Sequence, residues 1–231
     1  MLTEHWSLMT EIIPISHLHP ANLPALADLH AATMPTLLTD LGREVVLRYY
    51  QLAQADPDVI ALCALETSQS TTEYRSSNIE SPITNYQSLN TEHCILAYCI
   101  GSPNPSALNA QLRIPLPWFA GQLLKLIFTR PGVLFQLAQS VLTASSANDL
   151  RPGQIELTYI GVAPAARGRG LGKTILAAFV ESARAAGYTS VALSVETDNP
   201  AAIALYTKFG FTISQTFREG RYHRHRMEFR I

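Results

Sequence analysis

Seven consecutive residues, Arg167-Gly168-Arg169-Gly170-Leu171-Gly172-Lys173, lie between an apolar, strand-like run at 155–162 and a helix-like run at 173–186. Glycine tolerates positive φ, so such a turn can fold tightly and aim consecutive backbone N–H groups at one point. The first turn of the following helix adds unpaired donors and the positive end of its dipole. The chemistry on offer is anion binding, and the extent of the cradle implies a ligand that carries a pyrophosphate. A tight turn with glycines placed for packing would read the same way.

Spacing separates the ligands. A nucleotide-hydrolase loop has Gly, four residues, then Gly-Lys-Ser/Thr. Gly172-Lys173-Thr174 supplies its second half, but Arg167 stands where the first glycine belongs. The dinucleotide fingerprint Gly-x-Gly-x-x-Gly fits Gly168 and Gly170 and fails at Lys173. A third template, Gln/Arg-x-x-Gly-x-Gly/Ala, is met by Arg167, Gly170 and Gly172 without departure. In this the chain resembles the pyrophosphate loop of the GNAT acyltransferase superfamily, which holds acetyl-CoA. Downstream, Asn199, Ala202, Leu205, Tyr206, Gly210 and Phe211 are similar to the family's Asn-x-x-Ala-x-x-Leu-Tyr-x-x-x-Gly-Phe segment. One helix and one strand (189–195) separate the motifs, as in the family. The resemblance is close over 154–231 and holds only in outline before that.

The resemblance implies an α/β fold, with a GNAT-like mixed central sheet flanked by helices and a V-shaped opening between the fourth and fifth strands for the coenzyme. It implies acetyl-CoA as cosubstrate, no metal, and acetyl transfer to a primary amine of a small molecule or protein by direct attack in a ternary complex. Backbone groups of Ile160, Gly161 and Val162 would pair with the pantetheine arm, with Val162 as the donor to the thioester oxygen. Gly161 would help the strands splay, or mark a bulge. The loop from Arg167 through Gly168, Arg169, Gly170, Leu171 and Gly172 to Lys173 would hold the pyrophosphate, mostly by backbone N–H groups. Tyr206 matches the tyrosine beside the coenzyme sulfur, where a phenol can protonate a departing thiolate. Asn199 would cap the following helix and reach the pantetheine. Glu156 matches the carboxylate that takes the amine proton in some members. Under ideal alternation it shares a sheet face with Val162, six residues on. His93, Tyr159, His223 and His225 are the other bases available.

The preceding elements must position these groups. Periodicity gives a strand at 10–16, a helix at 20–32, a loop at 34–40, a helix at 42–53, and strands at 58–66 and 93–101. In the family outline the loop and second helix wall the acceptor site, which makes Met34, Leu37, Leu38 and Tyr49 candidates for substrate contact or for core. Residues 67–92 are polar and read as a mobile loop. Residues 103–148 are a helical insertion before the fourth strand, with helix-like runs at 118–128 and 132–144 broken at Pro131. Lys125, Arg130 and Pro131 interrupt it too often for a membrane span. The insertion packs on the sheet, caps the cleft, or meets a second copy or a membrane surface. The runs at 211–217 and 222–231 suit an antiparallel hairpin closing the sheet.

Composition agrees with one domain over 1–231. The chain has 231 residues, 47% hydrophobic, with a formal net charge of -1. Residues 1–150 hold six Lys/Arg against twelve Asp/Glu, and 151–231 hold eleven against six. The basic half attracts a polyanionic cofactor, while a nucleic-acid partner would call for a more basic domain. Cys63, Cys94 and Cys99 lack metal spacing and read as buried free thiols in a reducing cytoplasm. No basic start with an apolar core marks a leader at the amino terminus. Two rival readings keep the glycine loop: a non-catalytic coenzyme A sensor, and a P-loop-like nucleotide-binding protein.

Overall fold

The computed structural model describes residues 9–67, 94–129, 132, 150–219 and 222–231. In chain order the elements are β1 (Met9–Pro14), α1 (Leu23–Thr33), α2 (Leu37–Asp40), α3 (Arg43–Ala55), β2 (Ile60–Thr67), β3 (Ile95–Ser102), α4 (Pro105–Gln111), α5 (Leu116–Thr129), β4 (Gln154–Val162), α6 (Leu171–Ala185), β5 (Ser190–Glu196), α7 (Pro200–Phe209), β6 (Thr212–Glu219) and β7 (Tyr222–Arg230). The strands form one sheet in the order β1-β2-β3-β4-β5-β7-β6. Among the described residues only β4 and β5 pair in parallel, with α6 in the crossover between them. The carboxy-terminal hairpin is antiparallel as expected, with β7 inserted between β5 and the edge strand β6.

Two cores cover the two faces. On one, Leu26 of α1 and Val45, Val46 and Tyr50 of α3 pack on Cys63, Tyr98 and Ile100. On the other, Ile175, Leu176, Phe179 and Val180 of α6 pack on Leu62, Cys99, Leu157 and Leu193. The buried positions of α6 recur at helical spacing, which fixes the face it presents. Each such side chain contributes roughly 1.5–3 kcal/mol on burial, so the helix that follows the glycine loop is firmly seated.

Several expectations change. Residues 34–40 contain the short helix α2, and Leu38 and Tyr49 are buried in the core, whereas Met34 and Leu37 stay half-exposed. The insertion supplies α4 and α5; its second helical run at 132–144 lies outside the described residues apart from Gly132, and the loop at 67–92 does so apart from Thr67. Among the described residues no helix is long and apolar enough to cross a membrane.

A bulge sits in β4. The register with β3 passes from Ile100↔Tyr159 to Gly101↔Leu157, leaving Thr158 as an extra residue. An extra residue reverses the alternation of side chains beyond it. Leu157, Ile160 and Val162 therefore share the α6 face, and Glu156 shares the α1–α3 face with Tyr159. The expectation that Glu156 and Val162 face the same way is wrong for this reason. Close packing fixes Gly101 opposite the bulge: a Cβ there would lie within 3.0 Å of the Phe179 ring and the Glu156 carbonyl oxygen.

Candidate active site

The β4–β5 pairing runs only from Gln154↔Ser190 to Leu157↔Leu193. Beyond it β4 continues to Val162 and β5 to Glu196 without pairing to each other, so the sheet opens between them. Ala163 N donates to Leu96 O at 2.8 Å, which fixes the hydrogen-bonding parity of the antiparallel β3–β4 ladder. Gly161 turns its backbone groups toward β3, and Ile160 and Val162 turn theirs into the opening. Gly161 is neither the splay nor the bulge. A Cβ on it would sit 2.5 Å from Thr33 Oγ1 and from the Tyr98 ring, so α1 and β3 leave no room for a side chain there.

At the end of β4 a short 3-10 turn, Pro164–Ala166, leads into the loop. Gly168 and Gly170 have φ of +78° and +80°, and a Cβ on either would meet nothing within 4 Å. Backbone conformation, rather than crowding, is what requires glycine at these two positions. Gly170 caps α6 by accepting from Lys173 N (3.0 Å) and Thr174 N (3.1 Å), while the N–H groups from Gly168 to Gly172 have no backbone acceptor among the described residues. Gly172 already lies in the helix, where a Cβ would make only ordinary contact with Leu205 and Val162. Arg167, Arg169 and Lys173 are exposed around this row of donors, and Arg167 Nε donates to Val162 O at 3.4 Å. The loop and the opening are thus one continuous track.

Helix α7 borders the opening from the α6 side. Asn199 caps it, its Oδ1 accepting from Ala202 N at 3.1 Å. Gly210 ends it at φ +112°, which folds Phe211 back so that its ring lies 5.8 Å from that of Tyr206. Tyr206 is 6% exposed, and its phenol lies within electrostatic reach of the Cys99 thiol, whose residue stands opposite Ile160. Burial pushes the phenol well above its ordinary value, so it carries its proton at any physiological pH.

On the other face, Glu156 forms an ion pair with Arg226 of β7 at 2.9 Å. Burial raises the Glu156 carboxyl above its usual range, opposed by the Arg226 charge. Sequence reasoning missed Arg226 because its partner lies 70 residues away and meets it only through the β5–β7 pairing. Tyr159 is beside Glu156, its phenol raised to about 12 by burial. Behind it His30 is fully buried, its Nδ1 2.9 Å from the Tyr50 hydroxyl, and desolvation holds it down at about 4. Of the other bases, His225 shares a 2.8 Å hydrogen bond with Thr216, His223 is exposed, and His93 lies outside the described residues. Among the described residues no His/Cys/Asp/Glu group is arranged to hold a metal.

A parallel strand pair that opens onto a glycine-rich helix start is a geometry suited to a phosphate-bearing ligand. Residues 138–211 match the model of the Acetyltransferase (GNAT) family. A 56-residue stretch is 43% identical to the mycothiol acetyltransferase of Renibacterium salmoninarum, covering 24% of this chain and 17% of that protein. A 96-residue stretch is 34% identical to that of Rhodococcus erythropolis, covering 41% and 31%. The chain thus spans less than a third of the length of these relatives. The ribosomal-protein-S18-alanine N-acetyltransferase of Escherichia coli superposes with a TM-score of 0.53 at 15% identity over 96% of this chain and 94% of that one. The PaiA N-acetyltransferase of Thermoplasma acidophilum, in complex with coenzyme A, gives 0.54 at 13% over 97% and 100%. At such identities the likeness is one of fold.

Proposed function

We propose that the protein is an acetyl-CoA-dependent N-acetyltransferase that moves an acetyl group to a primary amine of a small molecule or protein by direct attack in a ternary complex. The observation that carries this reading is the track from the outward-facing backbone of Ile160 and Val162 to the unpaired N–H groups of Gly168–Gly172. Its first part suits the amides of a pantetheine arm, which pair as a strand would, and its second suits a pyrophosphate.

The cosubstrate supplies an activated thioester; the reaction forms a C–N bond and breaks a C–S bond. Val162 N–H, held toward the opening, donates to the thioester oxygen as charge builds there. Glu156 accepts the proton of the amine, directly or through water, and Tyr206 gives one to the leaving sulfur. These two residues lie on opposite faces of the sheet, so the amine enters from the α1–α3 side and the thiol leaves on the α7 side. The acidic amino-terminal half favours a cationic acceptor. Cys63 and Cys99 are buried while Cys94, against expectation, is exposed, and three free thiols suit a reducing cytoplasm.

The test follows thiol release from acetyl-CoA with a panel of amines: a polyamine, an amino sugar, an amino acid and a short peptide. Release that requires an amine and is lost in Gly170→Glu is expected. Acetyl-CoA binding without turnover on any amine would identify a coenzyme sensor instead.

A further inference from the structure

Arg226 is 4% exposed, and its Nη1 stands 2.9 Å from Glu156 Oε1 while donating to Ser194 Oγ at 3.2 Å. These three residues belong to three strands. Glu156 is in the last paired part of β4, and Ser194 is the first residue of β5 beyond the point where β4 and β5 part. Arg226 lies opposite Ser194 on β7. The guanidinium therefore ties β4 to β5 at the root of the opening, on the face from which the amine enters.

An arginine cannot shed its charge, and a carboxylate taken out of water without a partner returns to its neutral form. Five groups bear on Glu156 from the elements around it: Arg226 and Arg224 of β7, Glu219 of β6, Tyr159 of its own strand and Tyr49 of α3. The tyrosines are neutral. Arg224 is engaged elsewhere, 2.7 Å from Glu219 and 4.0 Å from Glu196, with its guanidinium 5.2 Å from the centre of the Tyr222 ring. Among the described residues Glu156 thus pairs with Arg226, with Ser194 fixing where the guanidinium sits.

We infer that Arg226 is a positioning residue of the acceptor side, which keeps the buried Glu156 carboxylate ionised and fixed at the root of the β4–β5 opening. This rests on the transferase reading for its purpose, though the ion pair itself does not. The pairing solves a conflict in the design of a buried base: a desolvated carboxylate left alone would be protonated and unable to accept a proton, whereas one held by a fixed cation stays ionised without being exposed to water.

The experiment is a pH titration of the Glu156 side-chain carboxyl carbon by NMR, in 13C-glutamate-labelled wild type, Arg226→Gln and Arg226→Lys, with acetyl-CoA titrated calorimetrically into each. In wild type the carboxyl is expected to be ionised at pH 7. In Arg226→Gln its midpoint should rise by about 1–3 pH units, the usual influence of an adjacent arginine, and Arg226→Lys should restore most of that shift. A protonated Glu156 in wild type at pH 7 overturns the inference whatever the variants do, including a failure of Arg226→Gln to fold. An unmoved midpoint in a folded Arg226→Gln overturns it as well. Acetyl-CoA binding is expected to be unchanged among the three proteins, because the contacts of Arg226 are to Glu156 and Ser194 and not to the glycine loop. If wild type binds no acetyl-CoA, the transferase reading fails while the ion-pair result stands on its own.

Discussion

Two glycines of the loop, only two residues apart, should respond oppositely to the same substitution. Gly170 has φ +80° with open space where a side chain would stand, while Gly172 is helical and a Cβ on it makes an ordinary contact, 3.5 Å from Leu205. Alanine at Gly170 meets no neighbour, so its cost is purely that of the left-handed backbone, about 1–2 kcal/mol. An exposed loop escapes that cost by leaving the left-handed region, which misaligns the N–H row, and ligand must then restore it. Acetyl-CoA affinity should fall by about 5- to 30-fold, the same free energy expressed as a binding constant. Alanine at Gly172 keeps the row intact and gains helix propensity worth up to about 1 kcal/mol. Its affinity should change by less than about threefold (under 0.7 kcal/mol), and its thermal midpoint should hold or rise. Calorimetric titration with acetyl-CoA and a thermal melt measure both. Equal losses in the two variants, or no loss in Gly170→Ala, would refute the assignment of this loop conformation to anion binding.

Tyr206→Phe removes only a hydroxyl from a packed ring, so acetyl-CoA affinity should be kept while turnover drops by about 10²–10⁴, the usual worth of a positioned proton donor; unchanged turnover would end its role as the acid. Glu156 acts as a base only when ionised and burial raises its pKa, so the rate should fall as pH drops through that raised value. Glu156→Gln should remove this acid limb, and a profile that keeps it would move the role to another group. His30 is held at about 4 against 6.5 when unfolded, so the unfolded chain binds more protons between those values. Its stabilisation is complete above pH 6.5 and is lost as pH falls toward 4, about 2–3 kcal/mol between pH 7 and 4.5. Urea midpoints should show that slope in wild type and a flatter one in His30→Gln.

The strand, loop and helix from 154 to 185 were legible because glycine at positive φ and a helical apolar stripe leave local marks in sequence. The cap at Asn199 was legible for the same reason. The bulge at Thr158 was not, since Leu157-Thr158-Tyr159-Ile160 reads as an unbroken apolar strand, and only pairing with β3 shows the extra residue. The cost was the wrong face for Glu156 relative to Val162. Gly161 looked like a device for splaying strands, but its reason is the approach of Thr33 and Tyr98, which no local pattern records. Arg226 sits in a run that alternates with Met227 and Phe229 and reads as an ordinary half-exposed strand. Its burial becomes predictable only once β7 is known to lie beside β5, across from Glu156.

The most direct test of the central claim is calorimetric titration of the protein with acetyl-CoA, with ATP and magnesium as the control ligand. Saturable acetyl-CoA binding that Gly170→Glu abolishes, with no heat from ATP and magnesium, is the predicted result, and binding of ATP and magnesium without acetyl-CoA would contradict it.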